Sequence, residues 1–262
     1  MRLDGKTCIV TGGGGEIGTA LCNGLAAHGA RVMAADIDEH AAEQTVLGLL
    51  DANLEAESVR LDVTEEASWD DAISRTLQRF GRLDVLINCA GVFSERPASI
   101  ADLALSEWRR SHAVNLDGAL LGIRACSSVM KPGSAIVNIG SVAGYFGARS
   151  GLAYGSSKAA VRGLTLQAAA ACIAEGNGIR INAVHPGYVL TEASLASGIA
   201  QLGSREAAIA SFTTRSPMKR IMWPKHIVGA VVFLASDAAA MMNGTEILVD
   251  DGLSTQMPGR AF

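Results

Sequence analysis

Tyr154 and Lys158 stand four positions apart in the stretch YGSSK, and Ser141 precedes the tyrosine by thirteen. On a helix, a spacing of four puts two side chains on one face, so the phenol and the ammonium can meet around a common substrate. A free phenol, with a pKa near ~10, exchanges protons poorly at neutral pH, and a nearby ammonium favours the phenolate. Each unit of lowering asks about 1.4 kcal/mol of that ammonium. Hydroxyl, phenol and amine together suit proton exchange with a substrate oxygen, with Tyr154 as general acid/base and Ser141 stabilising the charge that develops there. Lys158 is also placed to hold a sugar hydroxyl. Singly, each has a bland reading: a helix cap for Ser141, a solvated face for Lys158.

A second chemistry-bearing stretch is CIVTGGGGEIGTAL, residues Cys8 to Leu21, which can be read in two frames. Gly13, Gly15 and Gly18 give G-x-G-x-x-G; Thr11, Gly12 and Gly18 give T-G-x-x-x-G-x-G with Glu16 where a glycine is expected. Either way the loop follows a strand and opens a helix. In that context backbone N–H groups and the positive helix terminus can approach a pyrophosphate closely. Asp36 ends the next strand, where a carboxylate can accept from adenosine ribose hydroxyls and repel a 2′-phosphate, favouring NAD over NADP. Its alternative is to cap the following helix, a task Asp38 can perform equally well. Asp62, in RLDVT, can reach the adenine edge or cap a helix. Glu16, at a helix N-terminus, is favourable toward the macrodipole by ~0.3–1 kcal/mol, but a pyrophosphate competes for the same end. It is expected to turn away from the phosphates as a tolerated first-turn residue with no catalytic role.

The elements that must position these residues alternate along the chain. Strands are predicted from Thr7 to Val10, Arg31 to Ala35, Ser58 to Leu61, Val85 to Asn88, Ala135 to Ile139, Arg180 to Val184 and Ile247 to Val249. Helices are predicted from Ile17 to His28, Glu39 to Leu50, Ala67 to Phe80, Glu107 to Met130, Ala153 to Ala174 and His226 to Ala235. This rhythm of β-branched runs and longer Ala-rich stretches predicts an α/β fold, one doubly wound Rossmann-type domain over residues 1–262 with a seven-stranded parallel sheet. The segment 188–224 breaks the rhythm; it is rich in small and polar residues, has weak helical periodicity and follows a strand end, so it is expected to be a substrate lid.

Composition narrows the partner. The chain has 262 residues, 49% of them hydrophobic, and a formal net charge of −4 without a block of Lys or Arg. That offers no electrostatic footprint for nucleic acid or an anionic membrane. The opening MRLDGKTCIV runs into a strand without a signal pattern, and no apolar run reaches the ~18 residues of a spanning helix, so a soluble cytoplasmic protein is expected. The odd number of dispersed cysteines suits reduced core thiols better than disulfides or a metal cage. A small-molecule partner and no metal are expected.

The order NCAG (Asn88 to Gly91), HAVNLDG around Asn115, IVNIGSVAGY around Ser141, YGSSK and HPGYVLT (His185 to Thr191) resembles the single-domain branch of the short-chain dehydrogenase/reductase family across essentially the whole chain. The resemblance implies an oxidoreductase with a Ser141, Tyr154, Lys158 and Asn115 catalytic set, Asn115 anchoring a water that links Lys158 to solvent. It fixes the glycine frame on Gly12 and Gly18. It implies dinucleotide contacts from Gly12, Gly15, Ile17, Gly18, Asp36, Asp62, Val63, Asn88, Ala90, Gly91, Tyr154, Lys158, Pro186, Gly187, Val189 and Thr191. Three departures stand out: Glu16 for the middle glycine, Cys89 for the usual second asparagine, and Asp251 in NGTEILVDDG where glycine is frequent. A thiol bonds more weakly than an amide, so Cys89 is expected to cost the central strand some support. His185 is read as a packed histidine.

The expectation is an NAD-dependent alcohol dehydrogenase or ketone reductase acting on a secondary alcohol or its ketone, hydrophobic in character given Val142, Tyr145, Phe146, Val189, Leu190 and Leu195. Family likeness further implies a homotetramer. Two alternatives are an NADP-dependent 3-oxoacyl-carrier-protein reductase, opposed by Asp36 and the absence of a basic residue in Gly13 to Ile17, and a non-catalytic NAD-sensing protein, opposed by the intact Ser141, Tyr154 and Lys158.

Overall fold

A computed structural model describes residues 1–94, 99–147 and 151–255. Seven parallel strands form one sheet: β1 (Thr7–Thr11), β2 (Arg31–Asp36), β3 (Ala56–Arg60), β4 (Val85–Asn88), β5 (Ala135–Ile139), β6 (Arg180–Pro186) and β7 (Glu246–Val249). Their order is β3-β2-β1-β4-β5-β6-β7, so the chain reverses its direction of growth between β1 and β4. At such a switch point the loops leaving neighbouring strands diverge and open a crevice at the carboxyl end of the sheet.

Alternation along the strands feeds two cores. Cys8, Val10, Val32, Ala34, Val85 and Ile87 pack on one face beneath α1 (Glu16–Ala27), α2 (Glu39–Asp51) and α9 (Lys225–Ala235). Ile9, Met33, Leu86 and Ile136 face the other way, under α3 (Glu66–Phe80), α5 (Gly118–Ser127) and α6 (Leu152–Glu175). Because both faces are covered, the strands read as near-continuous apolar runs, and that made them legible.

Two expectations change. The single helix predicted from Glu107 to Met130 is α4 (Leu105–His112), a π-helical turn (Ala113–Asp117) and α5. Backbone angles stay right-handed helical at His112, Asp117 and Gly118, so the path continues while its winding widens at Asn115. The weakly periodic segment expected as a lid contains α7 (Glu192–Leu202) and α8 (Arg205–Arg215). Thr191 and Ser204 cap them, accepting from the N–H groups of Ser194 and Ala207, and Gly203 (φ 85°) makes the left-handed turn between them. Their apolar residues form a small cluster of their own, which is why the segment lacks a long amphipathic stripe.

The cysteines are free, and Cys8, Cys22, Cys126 and Cys172 are buried in the described fold. No helix among the described residues is long and apolar enough to cross a membrane.

Candidate active site

The crevice is built from strand ends on either side of the switch point. After β1, Gly12 takes φ +67°, and a Cβ there would lie 2.9 Å from Ala90 Cα, so this turn needs glycine for both conformation and space. A Cβ on Gly18 would lie 1.9 Å from the Gly12 carbonyl oxygen, whereas one on Gly15 would meet that oxygen at an ordinary 3.4 Å. Gly12 and Gly18 are thus glycines that the packing demands, as is Gly14, where a Cβ would lie 2.6 Å from Ala41 Cβ, whereas Gly15 is not. Asp36, at the end of β2, accepts from the N–H groups of Gly14 and Asp38, both at 3.0 Å. Asp38 caps α2 by accepting from Ala41 N–H at 3.1 Å, which leaves Asp36 free of that task. Asp62 closes a turn instead of capping α3, accepting from the Thr64 N–H at 3.0 Å and its hydroxyl at 2.7 Å. Val63 is buried against Gly118.

After β4, Thr11 Oγ1 accepts from Cys89 N–H and Ala90 N–H, each at 3.0 Å. Asn88 and Asn138 are register partners on β4 and β5, and Asn88 Nδ2 donates to Asn138 Oδ1 at 2.9 Å. Asn138 Nδ2 continues the chain to Thr165 Oγ1 on α6 at 2.9 Å. The central strand is thereby supported through Asn88 and Thr11, while Cys89 lies against the core of the α1 side. Burial pushes its thiol up to about 12, with Lys158 acting in the opposite direction.

Asn115, in the π-helical turn, grips the loop after β4: Oδ1 accepts from Val92 N–H at 2.7 Å and Nδ2 donates to the Val92 carbonyl at 3.0 Å. The same amide donates to Ser157 Oγ at 2.9 Å. A Cβ on Gly91 would lie 3.2 Å from Asn115 Oδ1 and 3.5 Å from Lys158 Nζ, so all three converge. A small cavity lined by Thr11, Asn88, Asn115, Asn138 and Lys158 adjoins them.

Lys158 is buried and donates to the Ile139 carbonyl at 2.9 Å. Burial lowers its ammonium to about 8. Its Nζ lies 5.9 Å from the ring centroid of Tyr154. The phenol is nonetheless raised above its ordinary value: desolvation dominates, against an opposing hydrogen bond from Ser141. This corrects the expectation that the ammonium would set the phenol low: loss of water around the hydroxyl governs it, and the downward influence comes from Ser141. Ser141 Oγ accepts from Ala143 N–H at 3.1 Å, capping a short helical turn. A hydroxyl retains its donor and a second lone pair after one such bond, so capping and binding a substrate oxygen are compatible.

Two residues beside this group were invisible to motif reading. Phe93 stacks on Tyr154, ring centroids 4.8 Å apart, and Ser94 Oγ accepts the Tyr154 N–H at 3.1 Å. Their position just after NCAG was the available signal. Behind Ser141, His185 is fully buried and its Nδ1 accepts the Ser141 N–H at 3.2 Å. Its Nε2 faces Glu246 Oε1 at 3.4 Å, and Arg162 holds Glu246 through bonds of 2.9 and 3.1 Å.

Comparison with known proteins decides the family. Residues 14–254 match the family model described as Enoyl-(Acyl carrier protein) reductase. D-threitol dehydrogenase of Mycolicibacterium smegmatis is 37% identical over 254 residues, covering 96% of this chain and 94% of that one. The chain belongs to the short-chain dehydrogenase/reductase family. A further relative, the NADP-dependent (R)-specific alcohol dehydrogenase of Lentilactobacillus kefiri, is 35% identical over 262 residues, 97% of this chain and 99% of that one. Among solved structures, levodione reductase superposes with a TM-score of 0.89 at 30% identity, covering 98% of this chain and 100% of that one.

Short-chain dehydrogenases use a nicotinamide dinucleotide, and the residues present fit one. The first turn of α1 carries no side-chain cap, leaving its amides for an anion, and the glycine loop in front of it is packed too tightly to admit side chains at Gly12 or Gly18. At the other wall, Gly187 crosses so close to Asp250 that a Cβ would lie 2.9 Å from Asp250 Cα, Val189 bridges to Met222, and Thr191 spends its hydroxyl on capping α7. Pro186 ends β6.

Glu16 departs from its expected idleness. Its Oε1 accepts the backbone N–H of Glu192 at 2.7 Å and of Ala193 at 3.4 Å, joining the glycine loop to the first turn of α7. The side chain does turn to another helix end, and its role is corrected from a passive one to a contact across the crevice.

Proposed function

We propose that the protein is an NAD(H)-dependent oxidoreductase interconverting a secondary alcohol and its ketone. The observation that carries this reading is the convergence of the Ser141, Tyr154 and Lys158 side chains with Asn115 at the carboxyl ends of β4 and β5, beside the glycine loop. Asp36 supports the choice of NAD: both of its carboxylate oxygens are already fixed by backbone N–H groups at the edge of β2, where a second anion would meet a held charge.

In this reading, Ser141 donates to the substrate oxygen and Tyr154 exchanges the hydroxyl proton with it. Desolvation keeps the Tyr154 phenol protonated at neutral pH, so its proton is the one that passes to the oxygen in ketone reduction and must be lost for alcohol oxidation. Lys158 would hold the nicotinamide ribose, and Asn115 would anchor a water linking Lys158 to solvent beside the small cavity that both residues line. The nicotinamide, when bound, supplies or accepts the hydride. Residues 188–224 act as the lid over the substrate, packed around Leu190, Leu195 and Ala208.

The test is reduction of NAD and, separately, NADP against a panel of secondary alcohols, diols and hydroxysteroids, with the reverse reaction on the matching ketones and Tyr154→Phe as control. NAD-linked turnover lost in the variant supports the reading. Equal efficiency with both cofactors would refute the role of Asp36, and turnover surviving in Tyr154→Phe would refute the proton exchange.

A further inference from the structure

We infer that Glu16 and Asp251 are positioning residues that fix the α7–α8 segment over the crevice before any ligand arrives, an inference that rests on reading that segment as the substrate lid. The segment packs around its own small cluster, in which Leu190, Leu195 and Ala208 are buried, separate from both sheet-face cores. Its entry and exit are paired in a narrow neck, where Val189 bridges Met222 and Leu190 N–H donates to the Met222 carbonyl at 2.7 Å. A unit with its own core on a two-stranded neck needs polar ties to hold it at one angle.

Two carboxylates supply them, one at each end of the helix pair. At the start of α7, Thr191 satisfies the Ser194 amide, and Glu16 takes the Glu192 and Ala193 amides. The four leading amides of a helix have no partners within it, and a carboxylate at that positive end is favourable. After α8, Asp251 accepts from Arg220 Nε at 2.9 Å and from Arg220 Nη2 and Ser216 Oγ. Burial works to raise the Asp251 carboxyl, and the bonds from Arg220 and Ser216 outweigh it, holding it below the usual carboxylate range. Asp251 does this from the left-handed region, φ 57°, a conformation uncommon outside glycine.

Both side chains leave the body of the fold to bind the same segment, one at each end of the helix pair. Because the α7 amides are already satisfied by the protein, ordering the lid does not fall on the substrate; preorganisation of this kind lowers the cost of binding.

The experiment is hydrogen exchange read by mass spectrometry on the full ligand-free chain, parent against Glu16→Gly, Glu16→Gln and Asp251→Gly, paired with NADH fluorescence titration and alcohol kinetics. Glu16→Gly is expected to speed exchange in α7 about tenfold, the loss expected for one charge-assisted hydrogen bond, with β1 and α1 unchanged. Glu16→Gln, which still offers an oxygen acceptor, should retain most of the protection. Asp251→Gly should loosen the segment after α8. In Glu16→Gly the alcohol KM should rise several-fold while NADH affinity stays within about twofold of the parent. Unchanged lid exchange in Glu16→Gly, acceleration spread through β1 and α1, or loss of NADH binding in that variant would each overturn the inference. A parent that neither binds NADH nor oxidises any alcohol would sink the functional reading instead, and the exchange comparison would still judge the tie.

Discussion

His185 accepts the backbone N–H of Ser141 at 3.2 Å from a ring that is entirely buried. The ring also lies so close to Gly140 that a Cβ there would sit 2.2 Å from Nδ1. To accept at Nδ1 the imidazole must carry its proton on Nε2, toward Glu246. Neutrality is thus a condition of the contact that places Ser141.

Burial lowers His185 from the ordinary 6.5 to about 4, with the Glu246 carboxylate opposing. Between those values the unfolded chain binds a proton that the folded chain refuses, so stability rises with pH across the window and is lost as pH falls through it. The full shift corresponds to about 3 kcal/mol. Urea denaturation of the parent and His185→Gln from pH 7 to 4 should show a shallower pH dependence in the variant. Superimposable slopes would remove His185 as the cause.

Lys158 makes a related prediction of opposite use. Burial brings its ammonium from 10.5 down to about 8, so the folded protein at pH 7 carries the cost of an enclosed charge. Lys158→Met should match or exceed the parent in stability at pH 7, by up to about 3 kcal/mol, less the hydrogen bond to Ile139 that it loses. The gap should close as pH rises from 8 toward 10.5, because there the parent sheds its proton while its unfolded chain keeps one. The same variant should lose both turnover and NADH affinity. A variant less stable than the parent at pH 7, or one with parental NADH affinity, would count against the assignment.

What could be read from the sequence and what could not divide along physical lines. The strands were legible because a sheet covered on both faces writes itself as apolar runs, and Asp38 was recognisable as a cap because its bond spans three residues. The tie from Glu16 to Glu192 joins residues 176 apart, and nothing in local pattern encodes it. The widening at Asn115 was hidden because a π-helical turn keeps helical backbone angles and changes the winding only. The phenol of Tyr154 was misjudged because spacing reveals the neighbouring ammonium, whereas the water excluded around a hydroxyl depends on the assembled walls. α7 and α8 looked irregular because they bury their apolar residues mainly against each other.

The Asn88–Asn138 pair should be costly to break. Asn138 is fully buried and links Asn88 on β4 to Thr165 on α6. Asn138→Ala would remove one hydrogen bond from each of two buried groups, which keep the Ala119 carbonyl at 3.3 Å and the Val161 carbonyl at 2.8 Å, at about 0.5–1.5 kcal/mol per bond, and would leave a cavity where the amide stood. Urea unfolding should register a loss of about 1–3 kcal/mol, with an unchanged slope. A loss below about 0.5 kcal/mol would mean that neither group depends on the pair.

The glycine loop supplies the last prediction, by contrast between two of its members. A methyl group at Gly18 would stand 1.9 Å from the Gly12 carbonyl oxygen, a contact the backbone cannot absorb without opening the turn between β1 and α1. A methyl at Gly15 would meet that same oxygen at 3.4 Å, within ordinary contact distance, and the residue is exposed. Gly15 also has φ −75°, open to any residue. Gly18→Ala is therefore expected to lose several kcal/mol of stability and its NADH binding together, because the displaced turn is also the floor of the cofactor site. Gly15→Ala should stay within about 1 kcal/mol of the parent, since its extended backbone angles admit alanine even though glycine is the better residue at an N-cap. Any fall in NADH affinity in Gly15→Ala would then report on the ligand's approach to the loop and not on the fold. Thermal unfolding with NADH titration on both variants separates these effects. Equal stability for the two would show that the loop is held open enough to accept a side chain at Gly18, against the packing described above.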